Sequence, residues 1–177
     1  MNKITINGIL RKGNARYNSG HVYWLDVTRK SGTVDTLLVL SPNDELIEGS
    51  VHVTGHMAAG YLKELGVPVY IVPETVEACS EGGLSEAVIT GILKKDPLCR
   101  KTHSGKAITS LHIKTDKGQI PAILWGSTAT DAVNTFHAGD MVTVVGRLQS
   151  REYPNKKGGN RTTYELSGNK IEACEAE

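Results

Sequence analysis

The chain has 177 residues, 39% of them hydrophobic and 22% charged, with a formal net charge of +1. This allows one ordinary domain or two small ones and excludes bulk disorder. No apolar run approaches the roughly 20 residues of a membrane helix, and the opening Met1-Asn2-Lys3-Ile4-Thr5 lacks the apolar stretch of a secretory leader.

The predicted elements are short strands rich in Val, Ile, Thr and Leu, separated by Gly, Ser, Asn and Asp. The first runs over Ile4 to Leu10 and leads into a basic loop and Ser19-Gly20. A strand from Val22 to Thr28, a tight turn at Lys30-Ser31-Gly32 and a strand from Val34 to Leu40 come next. Only Ser41 to Glu48 separates these from Val51-His52-Val53-Thr54-Gly55, with Tyr61 shortly beyond. The small, polar segment from Cys79 to Glu86 then interrupts the pattern and reads as a linker.

After it the same order recurs. Ala87 to Leu93 leads into a basic loop and Ser104-Gly105. The strand Ala107 to Lys114, the turn Asp116-Lys117-Gly118 and the strand Gln119 to Trp125 follow. A helix is expected over Ser127 to Phe136, where the first copy has none. Val142-Thr143-Val144-Val145-Gly146 and then Tyr153 complete the repeat. A period of about 85 residues is too long for a solenoid and suits a duplicated small domain. Five strands with a helix between the third and fourth is the plan of an OB-fold, a five-stranded Greek-key barrel. The fold class is therefore all-β with one short helix: two tandem OB barrels over 1–78 and 87–174, joined by 79–86.

Charge divides the two copies. Residues 1–80 carry seven Lys/Arg against eight Asp/Glu, whereas residues 87–171 carry thirteen against six. Five of these cations, Lys94, Lys95, Arg100, Lys101 and Lys106, sit in the loop between the second copy's first two strands. Five more, Arg147, Arg151, Lys156, Lys157 and Arg161, sit in its 4–5 region. Those are the regions through which an OB-fold binds its ligand, so a polyanion is the expected partner. The alternative is that hairpin tips are lysine-rich only because they are solvated.

Strand periodicity turns Ile120, Ala122 and Leu124 inward and Trp125 outward with Ile123. Trp125 thus suits base stacking or an interface, with core packing as the alternative, and Tyr153 in the basic arm suits a second stack. In the first copy Tyr23, Leu25 and Val27 point inward. Trp24 and Asp26 point outward, which suits Trp24 equally to a base or to a subunit contact. Nothing points to catalysis. The six histidines lack ligand spacing, and no phosphate loop, nucleophile elbow or paired carboxylates occur. Cys79, Cys99 and Cys174 match no zinc spacing and read as reduced thiols in a cytoplasmic protein. No catalytic residue, metal ligand or cofactor is expected.

The second copy resembles the bacterial single-stranded DNA-binding protein family. The likeness rests on Val88-Ile89-Thr90-Gly91-Ile92-Leu93-Lys94-Lys95-Asp96-Pro97, Ser104-Gly105-Lys106-Ala107, Ile123-Leu124-Trp125-Gly126, Ala138-Gly139-Asp140-Met141-Val142 and Val145-Gly146-Arg147-Leu148-Gln149-Ser150-Arg151-Glu152-Tyr153. The first copy is similar only through Gly8, Ser19-Gly20, Gly55 and Tyr61. The resemblance implies an OB-fold that binds single-stranded DNA in replication, recombination or repair, with stacking at Trp125 and Tyr153. It also implies assembly, here expected as a homodimer presenting four barrels. The sequence departs from the family in its short Thr115-Asp116-Lys117-Gly118 hairpin, in Gln119 where an aromatic is common, and in Leu40 at the first copy's counterpart of Trp125. The closing Glu172-Ala173-Cys174-Glu175-Ala176-Glu177 lacks the acidic tip that recruits replication and repair proteins. The first copy, near-neutral and without the helix, is expected to serve assembly. Two rival readings are a primosome-type OB protein and a scaffold that binds only proteins.

Overall fold

The computed structural model describes residues 1–18, 20–62, 65–80 and 82–175. Ser19 and the side chain of Tyr61, two points of likeness between the copies, lie outside the described residues. The first half forms β1 (Asn2–Tyr17), β2 (Gly20–Thr28), β3 (Val34–Ser41), β4 (Gly49–Leu62) and β5 (Val67–Ala78). The second forms β6 (Ser85–Leu93), β7 (Leu98–Lys101), β8 (Ala107–Thr115), β9 (Gly118–Trp125), α1 (Gly126–Thr135), β10 (Met141–Pro154) and β11 (Asn160–Ala173).

Each half closes on itself. In the first, β1 pairs with β2 and β4, β2 with β3, and β4 with β5, and a parallel contact of Val39 with Ile71 closes the ring. In the second, β6 pairs with β8 and β10, β8 with β9, and β10 with β11, and the parallel pair β9–β11 closes it. Both are OB barrels, and the expected inward parity holds. Tyr23, Leu25, Val27, Ile120, Ala122 and Leu124 are all buried, and Trp24, Asp26 and Trp125 are half-buried on the outside. Ile123, placed outward by the same parity, is nonetheless buried.

Three stretches differ from expectation because strands run on past the barrel wall. The basic segment after Leu10 is not a loop but the far end of β1, which pairs Lys12 with Tyr23 and Arg16 with His21. Arg100 and Lys101, expected in a loop, lie on the short strand β7, paired with β8. Arg147, Arg151, Tyr153 and Arg161 lie on the long β10–β11 hairpin, which leaves Lys156 and Lys157 at its tip. Leu40 and Trp24 pack against an intrachain cluster of Val22, Leu38, Leu62 and Val67, so neither is a bare apolar surface.

The barrels are fused through their first strands. Residues 2–6 of β1 pair antiparallel with residues 85–89 of β6, so Ser85 and Glu86 at the end of the linker segment already belong to the sheet. One buried cluster accordingly runs from Ile4 and Ile6 through Ala87 and Ile89 to Val144 and Leu166. The antiparallel junction also brings each barrel's 2–3 hairpin against the other barrel. The short Thr115–Gly118 turn docks on β4, where the Ala59 amide donates to the Lys117 carbonyl at 2.8 Å. Gly118, at φ +107°, would there bring a Cβ to 2.4 Å from the Ala59 carbonyl oxygen, so only glycine fits.

On the opposite side the hairpin of the first barrel is clasped to β10. Asp35, 1% exposed, accepts hydrogen bonds from Arg29 Nε at 2.7 Å and Nη2 at 2.5 Å, and from the Ser150 amide at 3.0 Å. The Thr36 amide in turn donates to Ser150 Oγ at 3.0 Å. Breaking a buried pair from one side costs about 3–5 kcal/mol, because it leaves a desolvated charge alone. Since the Arg29 side chain keeps 23% exposure, the low end applies, and Asp35→Ala is expected to cost about 3 kcal/mol in urea denaturation. A loss well under about 1 kcal/mol would place this cluster among ordinary surface pairs.

Candidate nucleic-acid interface

The clasp borders an open cleft of about 1420 Å³ whose walls come from both barrels. The second contributes Lys106, Trp125, Arg147, Arg151 and Tyr164, and the first contributes Arg11, Trp24 and Arg29.

Trp125 owes its position to local chain geometry. It ends β9 in extended conformation, and Gly126, at φ +61°, turns the backbone into α1. The helix is held to the barrel by buried Ala129 and Ala132 and by Thr109 Oγ1, which donates to the Ala129 carbonyl at 2.8 Å. The indole therefore stays on the outer face, half-buried, beside the Lys106 ammonium 5.3 Å from its ring centroid. That cation–π contact contributes about 0.5–1 kcal/mol at an exposed site and helps keep the ring in place.

A row of polar side chains continues along the floor. Arg151 Nε donates to Glu165 Oε1 at 2.9 Å, and Gln149 Nε2 donates to the same oxygen at 3.2 Å. Arg147 Nη2 donates to Gln149 Oε1 at 3.2 Å. Glu165 is 3% exposed, so Arg151 compensates a buried carboxylate and carries less free charge than its sequence position suggests. Arg147 has only the neutral amide. Partial burial, followed by repulsion from Arg29, pulls its pKa below the usual arginine value, against a smaller attraction from Asp35. Tyr164 is shifted the other way, raised by burial and then by Glu152.

The cleft gathers four of the residues singled out in the sequence, Lys106, Trp125, Arg147 and Arg151. Lys94 and Lys95 are exposed just past β6, Arg100 and Lys101 are exposed on β7, and Arg161 is exposed on β11. Lys156 and Lys157 are exposed at the hairpin tip. None of these seven lines the cleft. Tyr153 is on the arm beyond it, 36% exposed, with the Arg151 guanidinium carbon 6.0 Å from its ring centroid. Sequence reasoning missed Arg11, Arg29 and Tyr164. Arg29 follows a strand in the near-neutral half, and only the clasp brings it across, whereas Tyr164 faces Ser150 on the partner strand and could have been found from hairpin register. Among the described residues, no group of three or more His, Cys, Asp or Glu side chains could hold a metal ion.

A double OB barrel with a cationic cleft bordered by tryptophans defines a binder of an anionic chain. Comparison with known proteins makes the class specific. Residues 84–174 match the single-strand binding protein family. Over 103 residues the chain is 30% identical to single-stranded DNA-binding protein 3 of Clostridium acetobutylicum, covering 52% of this chain and 72% of that one. Over 87 residues it is 32% identical to single-stranded DNA-binding protein B of Bacillus subtilis, covering 43% of this chain and 77% of the relative. The wild-type single-stranded DNA-binding protein of Thermus aquaticus superposes with a TM-score of 0.75 at 20% identity, covering 100% of this chain and 94% of that one. The chain belongs to the single-strand binding protein family, whose members are DNA-binding proteins and not enzymes.

Proposed function

We propose that this protein binds single-stranded DNA without strong sequence preference and serves replication, recombination or repair in the cytoplasm. The observation that carries the reading is the cleft that places Trp125, Lys106 and Arg147 on one surface. Stacking on an aromatic ring is worth about 1–3 kcal/mol per base and tolerates any sequence, because every base has a π-face. Cations along the cleft and its rim attract the phosphates and release counterions on binding.

The barrels divide the work. The second, residues 87–174, makes the principal DNA contact through Trp125, Tyr153 and the ten cations of its cleft, its β6–β7 region and its arm. The first, residues 1–78, serves mainly to brace the arm and to assemble a homodimer that presents four barrels. Its exposed apolar residues away from the cleft, Ile9 and Ile47, are the candidates for burial between subunits. Leu40 packs against a cluster of its own chain and Trp24 borders the cleft, so neither is counted among them.

Titration of the full chain with oligo-dT, read by tryptophan quenching at two salt concentrations, tests the binding. Affinity should fall with salt by a log–log slope of about −0.7 for each phosphate neutralised. Affinity that stays flat with salt would contradict a charge-driven contact. Trp125→Ala and Tyr153→Ala should each weaken binding by about 1–3 kcal/mol with little change in melting temperature. If Trp125→Ala unfolds the chain but spares binding, the ring is packing and not a platform. Light scattering should give the mass of two chains, and a stable monomer would refute the assembly.

A further inference from the structure

Asp35 and Arg29 of the clasp border a second, smaller, open cavity of about 380 Å³ next to the main cleft. Both are bordered by Arg29, Ser85 and Arg147, so they are contiguous. Lys30 and Ser31, from the first barrel's 2–3 hairpin, form the outer lip. The wall thus holds three cations, Arg29, Lys30 and Arg147, against the single carboxylate of Asp35. That carboxylate is already engaged by Arg29 and the Ser150 amide. None of the ion pairs among the described residues includes Lys30 or Arg147. Ser85 borders both cavities, and its Oγ is buried away from solvent without a hydrogen-bond partner. Such a group costs about 1–3 kcal/mol when nothing satisfies it.

We propose that this junction is a seat for one backbone phosphate of the bound strand, held jointly by Arg147 of the second barrel and by Arg29 and Lys30 of the first. An anion there relieves the repulsion between Arg147 and Arg29, which Asp35 offsets only in part. Guanidinium groups offer phosphate two parallel donors, and Arg147 has four of its five N–H groups uncommitted to any hydrogen bond described. The cleft that shares Arg29, Ser85 and Arg147 with this cavity is also lined by Trp125 of the second barrel and Trp24 of the first. A strand stacked on Trp125 is therefore carried onto the first barrel, which becomes a DNA contact and not only a brace.

The inference rests on the reading of this protein as a single-strand binder, and the two fail differently. Arg147→Gln, Lys30→Gln and the double variant are compared with the unaltered chain for binding to a dT oligomer long enough to cross both barrels. All are measured in the full-length protein, with melting temperature as the check on folding and Arg147→Lys as a charge-retaining control. Each single change should weaken binding several-fold and reduce the salt slope by about 0.7. If both hold one phosphate, the double variant should lose less than the product of the two single losses. Lys30→Gln binding like the unaltered chain, or losses that multiply independently, would overturn the shared seat. An unaltered chain that fails to bind the oligomer would overturn the function itself.

Discussion

The antiparallel ladder between β1 and β6 is the constraint from which the rest of the architecture follows. Each of these strands uses one edge twice, first for the other barrel and further along for a neighbour in its own. Because the first strands cross in this way, the two cores merge into one buried cluster. The same crossing sends the 2–3 hairpin of each barrel onto the 4–5 region of the other. On one side this yields a tight backbone contact at Gly118 and Ala59. On the other it yields a polar clasp around Asp35. The hairpin at Thr115–Gly118 is short, and any side chain on Gly118 would collide with β4.

The clasp side is also the side of the cleft proposed to take the strand, and its charges are arranged in two kinds. Arg29, Arg151 and Arg11 are held by carboxylates, at Asp35, Glu165 and Asp26 respectively. The Arg11 pair lowers the pKa of Asp26, chiefly through its hydrogen bond, so the carboxylate stays charged. Such pairs contribute little free charge but fix long side chains before the ligand arrives, which lowers the ordering cost of binding. Lys106 and Arg147 are of the other kind, unpaired by carboxylate among the described residues. A polyanion gains most from these. Net charge by residue count therefore overstates the contribution of Arg151 and understates that of the junction.

What was legible in the sequence was local. Alternation over Tyr23–Val27 and Ile120–Leu124 identified the inward faces, because strand side chains alternate regardless of what lies across the barrel. The repeat, the single helix and the closed barrels could be read for the same reason. Pairing at long range could not. Nothing near Arg11 signals that β1 continues to Tyr17, since that extension depends on β2 being alongside. The crossing of β1 and β6 is equally silent, and with it the approach of Arg29 to Ser150. Trp24 could be read only as outward-facing, for want of the same information. The strand parity was right, but the neighbouring cluster was invisible.

The central claim is that one continuous cleft, spanning both barrels through the clasp, is the path of the bound strand. Photo-cross-linking with oligo-dT carrying 5-iododeoxyuridine at successive positions, followed by peptide mapping on the intact chain, tests it most directly. The account predicts adducts on the peptides holding Trp125 and Tyr153, and, for positions further along the same oligomer, on the peptide holding Trp24. Adducts confined to β7 and the hairpin tip, with none at Trp125 or Trp24, would contradict it.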